Sequence, residues 1–318
     1  SGGTMGNKDK TLVSGYSTTA SHEEKRGNKR KIGMKIGVIG AGKVGTSIGY
    51  MMKKKGFNVV AVSDKIESQL DNARRYIGSE LLYTHENMET VYASDVIAIT
   101  TQDRAIAEVA DEISEKSEQL DGKLFFHTSG AHPSSIISSL ESKGALLGSF
   151  HPLQTFPDID SAIRVIPETY IFIDGNEESI PILTDIGKAI GFDVVKIDGK
   201  DKVLYHLSAV YVCNLLCALL YAGQEIMNNA HVELRPFFPI IKATLDNIEA
   251  KGPLMSLTGP IIRGDAETVM SHLNAIDNLE LHKRVYKALS SVALEMVRKR
   301  EVLDSETIDR LQEILNGT

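Results

Sequence analysis

Cysteine is nearly absent. The 318 residues hold two, Cys213 and Cys217. Four positions apart in an apolar stretch, they read as small core residues, so a disulfide scaffold is excluded and a reducing cytoplasm is expected. Basic charge is also short. Lys and Arg number 35 against 42 Asp and Glu, a net charge of −7. That argues against a general nucleic-acid binder, which normally shows a basic face. No apolar run approaches the roughly 18 residues of a membrane span. The longest, Ala209 to Ala222, is interrupted by Asn214 and reads as a buried helix. The histidines are scattered, with no HxxxH or CxxC spacing, so no metal site is expected. Ser129 stands in Thr-Ser-Gly and not in a GxSxG elbow, which argues against a Ser-His-Asp nucleophile. What remains is 42% hydrophobic and 24% charged. That is enough for a sizeable core, and the length favours two domains.

Residues 1–33 differ from the rest. They are rich in Ser, Thr, Gly, Asn, Lys and Arg, with seven basic and three acidic residues and no apolar h-region. They read as a polar tail, with Ser1-Gly2-Gly3 resembling a cloning remnant and Met34 a natural start; the alternative is an arm docking on a neighbouring subunit. From Met34 short apolar runs alternate with helical patterns. Lys35-Ile39, Asn58-Ser63, Asp95-Thr100, Lys123-His127, Ala145-Phe150, Tyr170-Asp174 and Asp193-Ile197 read as strands. Such runs between helices predict a parallel sheet covered on both faces. After Asp198 the strand signal ends and the rest is helical, broken at Pro236, Pro239, Gly252-Pro253 and Gly259-Pro260. The expected fold is α/β: a Rossmann-type doubly wound parallel sheet over residues 34–198, then an all-helical domain, 199–318, for substrate and dimerisation.

Gly40-Ala41-Gly42-Lys43-Val44-Gly45 fits GxGxxG between a strand and a helix, the context that binds a dinucleotide. Gly40 permits the tight turn, Gly42 lets backbone approach the pyrophosphate, and Gly45 allows close helix-strand packing; the helix N-terminus offers free N–H groups. The end of the second strand selects the cofactor. Ser63 with Lys65 suits NADP. Asp64 suits NAD if the loop is shifted by one residue. Thr100, Thr101 and Gln102 end the next parallel strand and become cofactor contacts, with Thr101 or Asp103 also able to serve as an N-cap.

Three further segments carry a resemblance: His127-Thr128-Ser129-Gly130-Ala131, Ser149-Phe150-His151-Pro152-Leu153-Gln154-Thr155-Phe156, and Leu257-Thr258-Gly259-Pro260-Ile261-Ile262-Arg263-Gly264-Asp265. With the glycine fingerprint, the chain resembles the Rossmann-like plus DUF2520 family from Met34 to about Arg300. That family looks like a relative of ketopantoate reductase, pyrroline-5-carboxylate reductase, β-hydroxyacid dehydrogenases and prephenate dehydrogenase. Some members resemble an alternative ketopantoate reductase of pantothenate synthesis. The resemblance implies an NADP-linked reductase, often dimeric, with a helical C-terminal domain. The family's usual small-plus-Arg pair is departed from, since Asp64 replaces the Arg.

Reducing a carbonyl needs a positioned cofactor, an oriented carboxylate and a proton donor. His206, Val210 and Asn214 fall at i, i+4 and i+8 of one expected helix and so share a face. The resemblance places His206 where ketopantoate reductases carry Lys, and Asn214 at their second Asn; Val210 departs from the first. A histidine serves as general acid near neutral pH, and an ordinary core histidine and asparagine are the alternative. His151, just past a strand, resembles the His-Pro of prephenate dehydrogenases. Ser129, beside Thr128, matches the Ser-Gly with which β-hydroxyacid dehydrogenases hold substrate; a plain turn is the alternative. Thr258 and Arg263 match a ketopantoate-reductase segment, with an Arg263–Asp265 pair as the alternative. Three activities follow as expectations: NAD(P)H-dependent reduction of a small 2-oxo acid, ketopantoate first; a prephenate-dehydrogenase-like reaction; or an NADP-binding sensor without turnover. Neither nucleic acid nor membrane is expected as a partner.

Overall fold

The structure, a computed structural model, describes residues 33–166 and 169–317. The expected tail thus lies outside the described residues, Gly33 excepted. The chain divides into two compact units, one ending at Ala209 and the other starting at Val210.

The first unit is built on one eight-stranded sheet. Its strands are β1 (Lys35–Ile39), β2 (Asn58–Ser63), β3 (Leu82–Thr84), β4 (Val96–Ile99), β5 (Leu124–His127), β6 (Leu146–Pro152), β7 (Tyr170–Gly175) and β8 (Asp193–Lys196), in the order 3-2-1-4-5-6-7-8. The first six follow the doubly wound order, which reverses beside β1. Every pair is parallel except β6 with β7. The helices are α1 (Lys43–Lys54), α2 (Glu67–Ile77), α3 (Asn87–Ala93), α4 (Ile106–Lys116), α5 (Ile159–Val165), α6 (Ser179–Ile190) and α7 (Lys202–Ala209).

Alternation along the central strands explains the two-sided cover. Val96 and Ala98 of β4, with Leu124 and Phe126 of β5, face one core beside Ile48, Met52 and Phe150. Ile97, Ile99 and Phe125 face the other, against Ile106, Val109 and Ile113 of α4. Both faces are apolar because both are covered. Each large side chain so buried contributes about 1.5–3 kcal/mol.

One strand boundary moves a site residue. The sequence pattern ends the strand from Ala145 at Phe150. In the structure β6 runs two residues further, because antiparallel pairing with β7 sets His151 opposite Phe172 and Pro152 opposite Ile171. His151 therefore lies within a strand and not beyond one.

The second unit holds a π-helical turn (Val210–Asn214) and five helices: α8 (Leu215–Asn229), α9 (Phe238–Ser256), α10 (Ala266–Ala275), α11 (Glu280–Arg300) and α12 (Ser305–Asn316). Val269, Leu273, Leu294, Val297, Leu311 and Leu315 make its core. Asp265 and Asp304 cap α10 and α12 by accepting the N–H of Thr268 (3.0 Å) and Thr307 (2.8 Å), caps worth about 1 kcal/mol each.

Cys213 and Cys217 are exposed, not core residues. The Ala209 to Ala222 stretch is not buried either, since α8 carries no buried residue. Asn214 does not interrupt it: helix runs unbroken from Gly199 to Asn229, 31 residues, long and apolar enough by length and composition to cross a membrane. The reason is hydrogen bonding. The chain keeps bonding through Asn214 in an i→i+5 turn, so one polar residue does not end the helix.

Candidate functional site: a glycine-rich cleft and an imidazole pair on one sheet edge

The carboxyl ends of β1, β2 and β4 open a cleft of about 610 Å³, lined among others by Gly40, Gly42, Ser63, Asp64, Lys65, Thr100, Thr101 and Gln102. Each glycine of the fingerprint has its expected task. Gly40 has φ +98, and a Cβ there would meet the Thr100–Thr101 backbone at 2.9 Å. A Cβ on Gly45 would lie 2.1 Å from the Gly40 carbonyl and 2.3 Å from Thr100 Oγ1. Gly42 faces open space, with nothing within 4 Å of a built Cβ. It is the N-cap of α1, with no side-chain cap and no acidic residue in the first turn. The first N–H groups of α1, from Lys43, Val44 and Gly45, are thus left for an anion. Ala41 is fully buried under the turn and Lys43 is exposed.

The residues after β2 divide their work. Ser63 is buried and donates its hydroxyl to Asn87 Oδ1 (3.0 Å). The Asp64 carboxylate accepts the N–H of Ala41 (2.7 Å) and of Ile66 (2.9 Å), so it braces the glycine turn. Thr100 donates its hydroxyl to the Gly40 carbonyl (2.6 Å). Neither Thr101 nor Asp103 acts as a side-chain cap for the helix that follows. Thr101 Oγ1 is instead buried without a hydrogen-bond partner. An orphaned hydroxyl in a cleft is costly unless a ligand satisfies it.

A second cluster lies along the same sheet edge, past β5 and at the end of β6. Thr128 is half-buried, its N–H donated to the Ile99 carbonyl (3.3 Å). Ser129 is buried; its hydroxyl accepts the N–H of Ala131 (3.2 Å) and His132 (3.3 Å), which makes the local turn. His127 accepts the Ser129 N–H at Nδ1 (3.2 Å) and lies 3.0 Å from the Pro133 carbonyl through Nε2, so that ring is held as structure. Burial first, then the nearby Lys202 charge, lower His127 to about 4. Gly130 sits between two imidazoles: a Cβ there would lie 2.8 Å from His151 Nε2 and 3.0 Å from His206 Nδ1. His206 Nδ1 is buried with no partner.

Lys202, Tyr205, Ser149 and Asp174 escaped sequence reasoning. Lys202 is fully buried. It donates to the Ser129 carbonyl (2.9 Å) and Ser149 Oγ (2.7 Å), with its Nζ 3.7 Å from Asp174 Oδ2. Ser149 donates its own hydroxyl hydrogen bond to Asp174 Oδ2 (2.6 Å). Burial brings the Lys202 ammonium down to about 8, opposed by Asp174. Tyr205 Oη lies 2.7 Å from His151 Nδ1. The signal was available: Lys202, Tyr205 and His206 stand at i, i+3 and i+4, one face of α7. Arg104, a further cation lining the cleft, was also missed.

The remaining candidates belong to the second unit. Asn214 ends the π-helical turn and is exposed, so it is not the buried asparagine expected. The same-face arithmetic for His206, Val210 and Asn214 assumed a regular 3.6-residue helix and does not carry through a π turn. Thr258 is exposed. Arg263 is mostly exposed, its guanidinium 3.9 Å from the Asp265 carboxylate.

Residues 20–152 match the Rossmann-like domain family, and residues 169–293 match DUF2520, a domain of unknown function. No curated protein matches the chain. Among solved structures, BF3122 of Bacteroides fragilis, provisionally named an NADP oxidoreductase, is 26% identical; the match covers 82% of this chain and 98% of that one, with a TM-score of 0.68. TM1727 of Thermotoga maritima is 21% identical, over 84% and 99% of the two chains, with a TM-score of 0.67. A reductive aminase of Aspergillus terreus, in complex with NADPH and ethyl-5-oxohexanoate, is 16% identical, over 86% and 98%, with a TM-score of 0.61. The last two likenesses are of fold. By fold and by both family matches, the chain carries a Rossmann-like domain followed by a DUF2520 domain.

Proposed function

We propose that the protein is a cytoplasmic NADP-dependent reductase of a small 2-oxo acid, with ketopantoate, reduced to pantoate, as the substrate of choice. One observation carries this reading: the glycine-rich cleft and the Gly130 imidazole pair lie at the carboxyl ends of neighbouring parallel strands, along one edge of one sheet. Ligands of open α/β sheets bind on that edge.

The cleft fits a dinucleotide. Gly42 and the free N–H groups of α1 suit a pyrophosphate, and the orphaned Thr101 hydroxyl awaits a partner. Lys65 and Arg104 supply positive charge beside it, while the Asp64 carboxylate is engaged by backbone N–H groups. That balance supports NADP over NAD, as does the likeness to the Bacteroides protein. When bound, the reduced cofactor supplies hydride. The chain's own residues do the rest. Ser129 holds the substrate near the nicotinamide end of the cleft, and Thr128 beside it is a cofactor contact. One of the two imidazoles, His206 or His151, gives a proton to the developing alkoxide. Asn214, Thr258 and Arg263 are the helical domain's candidates for substrate contacts, Arg263 through the bidentate pairing of an Arg with a carboxylate.

The active form is a homodimer. Helices α8 and α9 carry no buried residue, yet expose Leu215, Leu219, Phe238, Ile240 and Leu245. A second copy covers such a face; the bonds of Lys202 to the Ser129 carbonyl and of Tyr205 to His151, at the start of the same long helix, support that partner over lipid.

The test is the loss of reduced-nicotinamide absorbance when purified protein meets ketopantoate, with NADPH and NADH in parallel. Turnover with NADPH is expected. His206→Gln should lower kcat by about 100-fold or more while cofactor binding changes little. Turnover with neither cofactor removes the ketopantoate assignment; unchanged kcat in folded His206→Gln removes His206 from proton delivery.

A further inference from the structure

Tyr205 has no part in the chemistry proposed above, yet its surroundings leave it one task. Its ring centroid lies 4.2 Å from that of Phe172, tilted by 32°. Phe172 stands opposite His151 in the β6–β7 register. From that seat Tyr205 Oη reaches His151 Nδ1 at 2.7 Å. Tyr205 Oη makes no other hydrogen bond among the described residues, so Nδ1 is the one protein acceptor for its proton. Burial raises the Tyr205 phenol well above its ordinary value, and the O–H is retained. Burial first, then the charges of Lys202 and His206, lower His151 to about 4, and Asp103 opposes them; the ring is neutral near pH 7. A neutral imidazole that accepts at Nδ1 carries its proton on Nε2. Nε2 is the atom beside Gly130, across from the unpartnered Nδ1 of His206. Only a residue without a side chain leaves that gap free.

We propose that Tyr205 is a positioning residue that locks His151 as the Nε2–H tautomer, so that His151 donates a fixed hydrogen bond to the substrate's reducible oxygen while His206 Nδ1 delivers the proton. This rests on the reductase reading and divides the labour which that reading leaves open between two imidazoles. The carbonyl carbon accepts hydride from the reduced nicotinamide, which is oxidised. The C=O π pair moves onto oxygen, and oxygen takes the proton from His206 Nδ1. His206 regains its proton from solvent. His151 stays neutral throughout and stabilises the oxygen's charge as a preorganised donor.

Nitrogen-15 spectra of the labelled full chain test this without substrate. The His151 signals are identified by their loss in His151→Gln. At pH 7 the native protein should show Nε2 protonated and Nδ1 bare but hydrogen-bonded. Tyr205→Phe should shift His151 toward a mixture containing Nδ1–H. A protonated Nδ1 in the native protein, or an unchanged tautomer in Tyr205→Phe, overturns the proposal. With an oxo acid that is turned over, Tyr205→Phe should lower kcat by about 10- to 100-fold and leave the KM for NADPH unchanged; an unchanged kcat also overturns it. Failure of every oxo acid bears on the reductase reading instead, since the tautomer is read with no substrate present.

Discussion

His127 and His151 are both held neutral by burial, each lowered from 6.5 to about 4. The unfolded chain therefore binds protons that the folded chain refuses as pH falls through 6.5. The stability at stake is present in full above about pH 6.5 and is lost between 6.5 and 4. Urea midpoints should be level from pH 7 to 6.5 and fall steadily below it. His127→Gln should flatten part of that slope, because the ring at 127 no longer titrates. An acid slope of the same steepness in that variant would show that His127 is not one of its sources. His127 was legible in the sequence only as a neighbour of Ser129. Its structural role could not be read there, because the Pro133 carbonyl that lies beside Nε2 is brought near by a turn.

At the scale of elements, the β1–turn–α1 unit is the most constrained. A side chain at Gly45 would press on the Gly40 carbonyl and on Thr100 Oγ1, which itself donates to that carbonyl. Backbone cannot retreat as a flexible side chain does. Gly45→Val should cost about 1–3 kcal/mol in urea unfolding; an unchanged midpoint would mean that α1 moves freely over the sheet. This unit was legible because glycine spacing and a strand–helix context state their own geometry. The long strands were legible for the same reason, as apolar runs. Short pieces were not: β3 has three residues, and α3 and α5 seven each, too few for a period to show. The face of α7 was missed for a different cause. Attention to His206, Val210 and Asn214 assumed one regular helix, whereas the face that meets the sheet carries Lys202, Tyr205 and His206. The end of β6 depended on its pairing with β7, a long-range contact with no local signal.

At the scale of the whole molecule, the apolar run of α8 reads from sequence as a buried helix, yet neither α8 nor α9 buries a residue in the single chain. Sequence alone does not separate a core face from a face covered by a second copy, because both need the same side chains. Sedimentation should find a species of twice the 34.8 kDa chain mass. Leu215→Lys with Leu219→Lys should shift it toward the monomer; a monomer in the unaltered protein would contradict the dimer. Everything proposed for the protein requires the cofactor site, and calorimetric titration of NADPH into the purified protein tests that site most directly. One site per chain is predicted, tighter for NADPH than for NADH, and weakened by about tenfold in Thr101→Val through loss of one hydrogen bond. Absence of binding by either nucleotide would contradict the account at its root.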